Sequence, residues 1–243
     1  MVTNKTALSY WFPKIEAAGV PVPRTKLLKM PVAAQEDVWA LFDGKDGPDG
    51  GKAMKQFIAG VAAAAAEFGF PFFLRTDMTS GKHDWEHTCF VSSAASVLQC
   101  ILNIVEFSEC ADMMGLPWDA WAVREFLPTM PLGVCPRYGN MPVCREFRFF
   151  VDGGKVTCVH PYWPRHALEQ GGADMSDAEY GRLCECTVPE GIELCAMAEK
   201  AGRAVDGAWS VDILETRRGW FVTDMAEARK SFHWEGCQNG GKP

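Results

Sequence analysis

Two aspartates in the stretch Trp209–Glu227, WSVDILETRRGWFVTDMAE, set the chemistry that this chain could perform. The stretch reads as a β-hairpin with arms Trp209–Glu215 and Trp220–Met225. Arg217-Arg218-Gly219 forms its turn, and Gly219 supplies the positive φ that ends a three-residue loop. In that register Asp212 faces Asp224 and Leu214 faces Val222. Two carboxylates opposed on one face, with Cβ atoms roughly 5 Å apart, repel each other. A hard divalent cation held between their oxygens removes the repulsion. A turn one residue different leaves the alternative of one buried and one solvated aspartate.

Three cations precede the hairpin. Arg75 ends the apolar run FPFFLRT, Lys82 follows the polar loop Thr76–Gly81, and Arg148 lies in Glu146-Phe-Arg148-Phe-Phe. Strand alternation turns Arg148 away from Phe147 and Phe149, into a cleft. A surface Arg148 paired with Glu146 or Asp152, and a solvated Lys82, are the alternatives. Convergent cations with paired carboxylates suit Mg-nucleotide binding: the cations neutralise phosphate oxygens and the carboxylates hold the bridging Mg²⁺. The glycine-rich segment DGKDGPDGG at 43–51 fits neither a phosphate loop nor a calcium loop. Any nucleotide would therefore be held by side chains.

The elements that must position these residues follow from periodicity. Helices are expected around Tyr10–Ala18 and over residues 33–42, 52–68, 94–107, 177–185 and 189–204. Strands are expected at Lys26–Met30, Phe70–Thr76, Trp85–Ser92 and Ala120–Leu127. A further hairpin joins Glu146–Val151 to Val156–His160 through Asp152-Gly153-Gly154. The pattern is α+β, with hairpins interleaved with single helices.

With 48% hydrophobic and 23% charged residues, the chain has an ordinary globular composition. A net charge of −7 argues against nucleic acid bound through a broad basic surface. No secretory leader and no apolar run of membrane-spanning length is read in it. Ten cysteines contain no C-x-x-C pair, so neither a disulfide framework nor a zinc site is expected. Cys89, Cys100, Cys135, Cys144 and Cys158 read as small buried hydrophobes in a reducing, cytoplasmic compartment.

The ordered segments FFLRTDMTSGKHDW, AWAVREFLP, CREFRFFVDGGKVTCVHPYW and WSVDILETRRGWFVTDMAEA resemble the ATP-grasp superfamily. The nearest likeness is to the clade with one arginine and two lysines found in phage and bacterial genomes. The segments are also similar to eukaryotic cell-division-cycle factors that assemble translation initiation factor 2. The resemblance implies two lobes whose antiparallel sheets clasp a nucleotide cleft. It implies a front piece at 1–69, a small lobe at 70–122, a large lobe at 123–237 and a disordered tail at 238–243. Arg75 and Lys82 would contact the ATP phosphates, and Arg124 to Leu127 would be the hinge strand. There the Glu125 carbonyl and Leu127 amide, flanking Phe126, would bind adenine. Arg148 would reach the γ-phosphate or a phosphorylated intermediate and act with Lys82 in catalysis, with Lys155 and His160 as weaker candidates near the same face. Asp212 and Asp224 would bind Mg²⁺. Ala226 stands where many relatives carry an asparagine ligand; either Glu227 would substitute from the next position or one ligand is lost. The implied activity is an ATP-dependent carboxylate–amine ligase acting on an amino acid, peptide or protein. The alternative is an ATP-binding assembly factor for a protein partner. Neither reading calls for a membrane.

Overall fold

Apolar periodicity along this chain builds two antiparallel sheets, each backed by helices. A computed structural model describes residues 4–111, 113–235 and 237. The expected disordered tail at 238–243 lies outside the described residues. The fold divides into two units. The smaller comprises Arg24–Phe126 and Tyr138–Met141; the larger comprises the described residues of Met1–Pro23, Leu127–Arg137 and Pro142–Pro243. The segment 1–69 is thus not a separate front piece: it is divided between the units at Pro23–Arg24. The chain leaves the smaller unit at Phe126–Leu127, inside the segment read as a hinge.

In the smaller unit, β1 (Thr25–Lys29), β2 (Phe72–Thr76), β3 (Phe90–Val91) and β4 (Ala120–Glu125) form a sheet in the order β1-β4-β2-β3. Helices α2 (Val32–Phe42), α3 (Lys52–Ala65) and α4 (Val97–Cys110) supply its core. In α3 the residues Met54, Phe57, Val61 and Ala65 recur at helical spacing and are buried together with Phe72, Leu74, Trp121 and Val123 from the strands. Gly69, at φ +81°, closes the turn after α3 by donating its N–H to the Ala65 carbonyl. The strand expected over Trp85–Ser92 is shorter than its sequence suggests. Residues Lys82–His87 curl into 3₁₀ geometry, held by the Thr88 hydroxyl, which reaches the Gly81 and Asp84 carbonyls at 2.9 and 2.7 Å.

In the larger unit, β7 (Glu146–Asp152), β8 (Lys155–Pro161), β9 (Ala208–Thr216) and β10 (Gly219–Glu227) form a sheet in the order β10-β9-β7-β8. The short ribbon of β5 (Gly133–Cys135) and β6 (Met141–Val143) lies in the connection after β4. Helices α1 (Leu8–Ala17), α5 (Arg165–Gln170), α6 (Asp177–Cys184) and α7 (Val188–Arg203) complete the set. Helices α6 and α7 begin with capping boxes, Ser176 with Glu179 and Thr187 with Glu190. Helix α7 packs against β7, β8 and β9, and Gly202 lets it approach so closely that a Cβ there would lie 2.4 Å from Val151 Cγ1. Phe147, Phe149 and Val151 of β7 pair with Ile213, Val211 and Trp209 of β9 on this helix-covered face, and Tyr10 of α1 stacks on Trp209. No helix among the described residues is long and apolar enough to cross a membrane.

Candidate functional site

The opposite face of the larger sheet carries the polar residues, because strand alternation turns them away from the helices. The pairings His160↔Arg148, Arg148↔Asp212 and Asp212↔Asp224 place one residue from each strand in a single row across β8, β7, β9 and β10. Arg148 donates from Nε and Nη2 to the two Asp212 oxygens at 2.7 and 2.8 Å, a bidentate pair. Their side chains are 19% and 5% exposed, so the pair is largely removed from water. Burial alone would lower the Arg148 pKa; the Asp212 charge and hydrogen bonds outweigh it and raise the value beyond its ordinary range. The guanidinium also lies over the Tyr162 ring at 4.8 Å. Asp224 is half-buried, and its Oδ1 accepts from the Met225 amide at 3.0 Å.

The facing of Asp212 and Asp224 arises differently from the expected hairpin. The turn is the two-residue Arg217-Arg218, closed by Thr216↔Gly219, so Val222 pairs with Ile213 and Leu214 with Phe221. A bulge at Thr223 then shifts the register and brings Asp224 opposite Asp212.

Glu227 is not brought to the two aspartates. It lies an odd number of positions from Asp224, so alternation puts it on the helix side, opposite Trp209. There it pairs with Lys230 at 2.9 Å and Arg229 at 3.5 Å, and Thr6 donates its hydroxyl to it at 3.4 Å. The Lys230 hydrogen bond leads the causes that lower the Glu227 pKa. Ala226 shares the Asp224 face and offers no ligand atom. Lys155 is exposed beside the β7–β8 turn and pairs with Glu199 at 3.5 Å. Cys89, Cys100, Cys135 and Cys144 are buried as expected, and burial pushes the Cys89 thiol up to about 12. Cys158 is not: it is half-buried on the polar face, with its Sγ 2.9 Å from His160 Nε2.

The smaller unit holds the remaining expected residues except Leu127, which is buried where the chain re-enters the larger unit. Arg75 is buried on β2, with its Nε donating to the Thr76 carbonyl at 3.1 Å. Lys82 opens the 3₁₀ segment after Gly81 and is half-buried. The neighbouring His83 imidazole is lowered first by burial and then by the Lys82 charge. The Glu125 carboxylate accepts from the Arg24 backbone N–H at 2.9 Å and from its Nε at 3.1 Å. The pairings Arg75↔Ala122 and Phe73↔Arg124 put Arg75 and Arg124 on one face of the sheet. The alternation of Ala122 and Arg124 against Trp121 and Val123 in the sequence marks the Arg124 side chain as a partner of Arg75 on that face. Phe126 joins Phe73, Trp85 and Phe90 in an aromatic cluster, with Phe90 and Phe126 ring centroids 5.2 Å apart.

No protein-family model and no curated protein sequence matches the chain. Its fold does match solved structures. C-terminally truncated Cdc123 from Schizosaccharomyces pombe superposes with a TM-score of 0.58 at 13% identity, covering 93% of this chain and 87% of that one. Biotin carboxylase from Campylobacter jejuni, in its β-γ-ATP complex, gives 0.54 at 15% identity, covering 96% of this chain and 42% of the enzyme. D-alanine–D-alanine ligase from Bacillus anthracis, complexed with ATP, gives 0.51 at 8% identity, covering 91% of this chain and 52% of the ligase. The chain thus spans about half of the two enzyme chains or less. It has the ATP-grasp fold that its sequence resembles.

Proposed function

We propose that this protein binds Mg-ATP and joins a carboxylate to an amine through an acyl phosphate. The observation that carries the reading is the row His160–Arg148–Asp212–Asp224 on the face of an ATP-grasp sheet opposite α7. Two facing carboxylates beside a guanidinium are a donor set suited to Mg²⁺ with phosphate: hard oxygens for the cation, a planar fork for the anion. Asp212 and Asp224 would hold the Mg²⁺, which would neutralise charge developing on the phosphates. Arg75 and Lys82 of the smaller unit would bind phosphate oxygens, and the backbone of Glu125 and Leu127, where the chain passes from the smaller unit to the larger, would take the adenine with Phe126 beside them.

This chain's contribution to such a reaction is positioning and charge neutralisation. Arg148 would orient the transferred group, and Lys82 would stabilise the charge that develops on it. The acceptor class is an amino acid, a peptide or a protein end. The test is ADP release from ATP across panels of amino acids and peptides, with hydroxamate trapping of the acyl phosphate. ATP binding without turnover across those panels would overturn the ligase reading.

A second reading is supported by the likeness to Cdc123, which extends over 87% of that chain. Here the protein would bind Mg-ATP and a protein partner as an assembly factor, without turnover. ATP-dependent capture of one defined partner, with no ADP formed, separates it from the first.

A further inference from the structure

The polar face of the larger sheet bears a second group of ligand-bearing side chains that meets the Arg148 row at His160. Cys158 and His160 alternate along β8 and so share that face. The segment after β10 returns across the same face: the Ser231 hydroxyl meets the Ser210 hydroxyl at 2.6 Å, and the His233 ring stacks on Phe150 with centroids 3.5 Å apart. This return brings His233 and Cys237 to Cys158 and His160. One ligand atom from each of the four lies within 4.8 Å of all the others. Cys158 Sγ is 3.3 Å from Cys237 Sγ and 2.9 Å from His160 Nε2.

We propose that Cys158, His160, His233 and Cys237 form a tetrahedral site for a zinc-class transition-metal ion, which fastens the segment after β10 to the sheet beside Arg148. Zn–S and Zn–N bonds of about 2.3 and 2.0–2.1 Å imply ligand–ligand separations of roughly 3.3–3.8 Å in a tetrahedron. Metal binding thus asks only small movements of side chains already gathered. A sulfur separation of 3.3 Å is well beyond the ~2.05 Å of a disulfide. His233 Nδ1 is buried and has no hydrogen-bond partner among the described residues, a cost that ligation through that nitrogen would remove. Two thiolates balance the charge of a divalent ion, so the site adds no net charge next to Arg148, which Asp212 already neutralises. Phe150 stacked on His233 and Trp234 stacked on His160, at 5.8 Å, flank the half-buried site and hold its two imidazoles in place. Soft S₂N₂ donors select zinc over magnesium, so this site differs in chemistry from the carboxylates across the row.

The test uses the full chain without a metal-binding tag, reduced, stripped with a chelator and titrated with Co²⁺. The expected result is one equivalent bound. Thiolate-to-cobalt charge transfer and the intense visible bands of tetrahedral cobalt should appear, and one equivalent of Zn²⁺ should abolish both. Cys237→Ala and Cys158→Ala should each lose the bands, while Cys110→Ala, at an exposed cysteine, should keep them. Cys237 lies outside every strand and helix, so its variant tests the site even if Cys158→Ala fails to fold. Bands that persist in Cys237→Ala, or a reduced wild-type chain that takes up no metal, would overturn the proposal. A Cys158–Cys237 disulfide in aerated protein, together with absent metal uptake after reduction, would overturn it in favour of a redox pair.

Discussion

Replacing Arg148 with leucine tests the row across the larger sheet at its centre. The change leaves the Asp212 carboxylate, 5% exposed, without its bidentate partner. Stranding one member of a buried pair costs about 3–5 kcal/mol. At about 2–4 °C per kcal/mol for a chain of this size, the midpoint of thermal unfolding should fall by about 6–20 °C. Asp212→Leu should cost a similar amount, because it strands the guanidinium. The double variant replaces both charges with apolar groups and should cost less than either single change, so the coupling should exceed about 3 kcal/mol. Urea unfolding followed by tryptophan fluorescence reads all four proteins, since Trp209 and Trp220 lie in the same sheet. Single losses below about 1 kcal/mol that simply add in the double variant would refute the reasoning, because that is how an exposed pair behaves. Addition of Mg-ATP should raise the midpoint of the wild type and not that of Arg148→Leu.

Calorimetric titration with Mg-ATP should show weaker binding for Asp224→Asn and for Lys82→Ala. Glu227→Gln should bind like the wild type, because its carboxylate is paired with Lys230 on the other face of the sheet. Gly202→Ala should destabilise the larger unit by about 1–3 kcal/mol in urea, since its methyl would overpack against Val151. Backbone and side-chain hydrogen bonds from Thr187 hold the Glu190 carboxyl below its usual 4.5, with Arg145 adding to the effect. A lowered carboxyl stabilises the fold above its unfolded pKa and loses that contribution as pH falls through the folded value. A plot of unfolding midpoint against pH should therefore drop less steeply below about pH 4.5 in Glu190→Gln than in the wild type.

Most of the elements were legible because their periodicity is strong. The run Met54, Phe57, Val61, Ala65 specifies α3, and the capping residues Ser176 and Thr187 mark where α6 and α7 begin. Short pieces leave no such mark: α5 spans only Arg165–Gln170, and β5 and β6 have three residues each, too few for a period to register. The Asp212–Asp224 pairing was legible, but the path to it was not. The buried residues Trp220, Val222 and Met225 step by two and then by three, and that jump is the written trace of the bulge. The cysteine–histidine group was illegible for a different reason. Cys158 and His233 are far apart in sequence, and only the return of the segment after β10 unites them. Local spacing reads Cys158 as one more apolar position on a strand.

The bulge at Thr223 also sets how the gene can change. Removing one residue from a strand ordinarily turns everything beyond it to the wrong face. Here Thr223 is the surplus residue: Asp212 already has Asp224 opposite it, and Val222 already has Ile213. An in-frame loss of the Thr223 codon should leave a plain ladder with both aspartates still facing and Val222 still under the helices. The same loss at Phe149, in the interior of the sheet, should send Arg148 or its neighbours into the core and abolish folding. The hairpin thus carries one spare letter, and it lies next to the residue that the proposed chemistry can least do without.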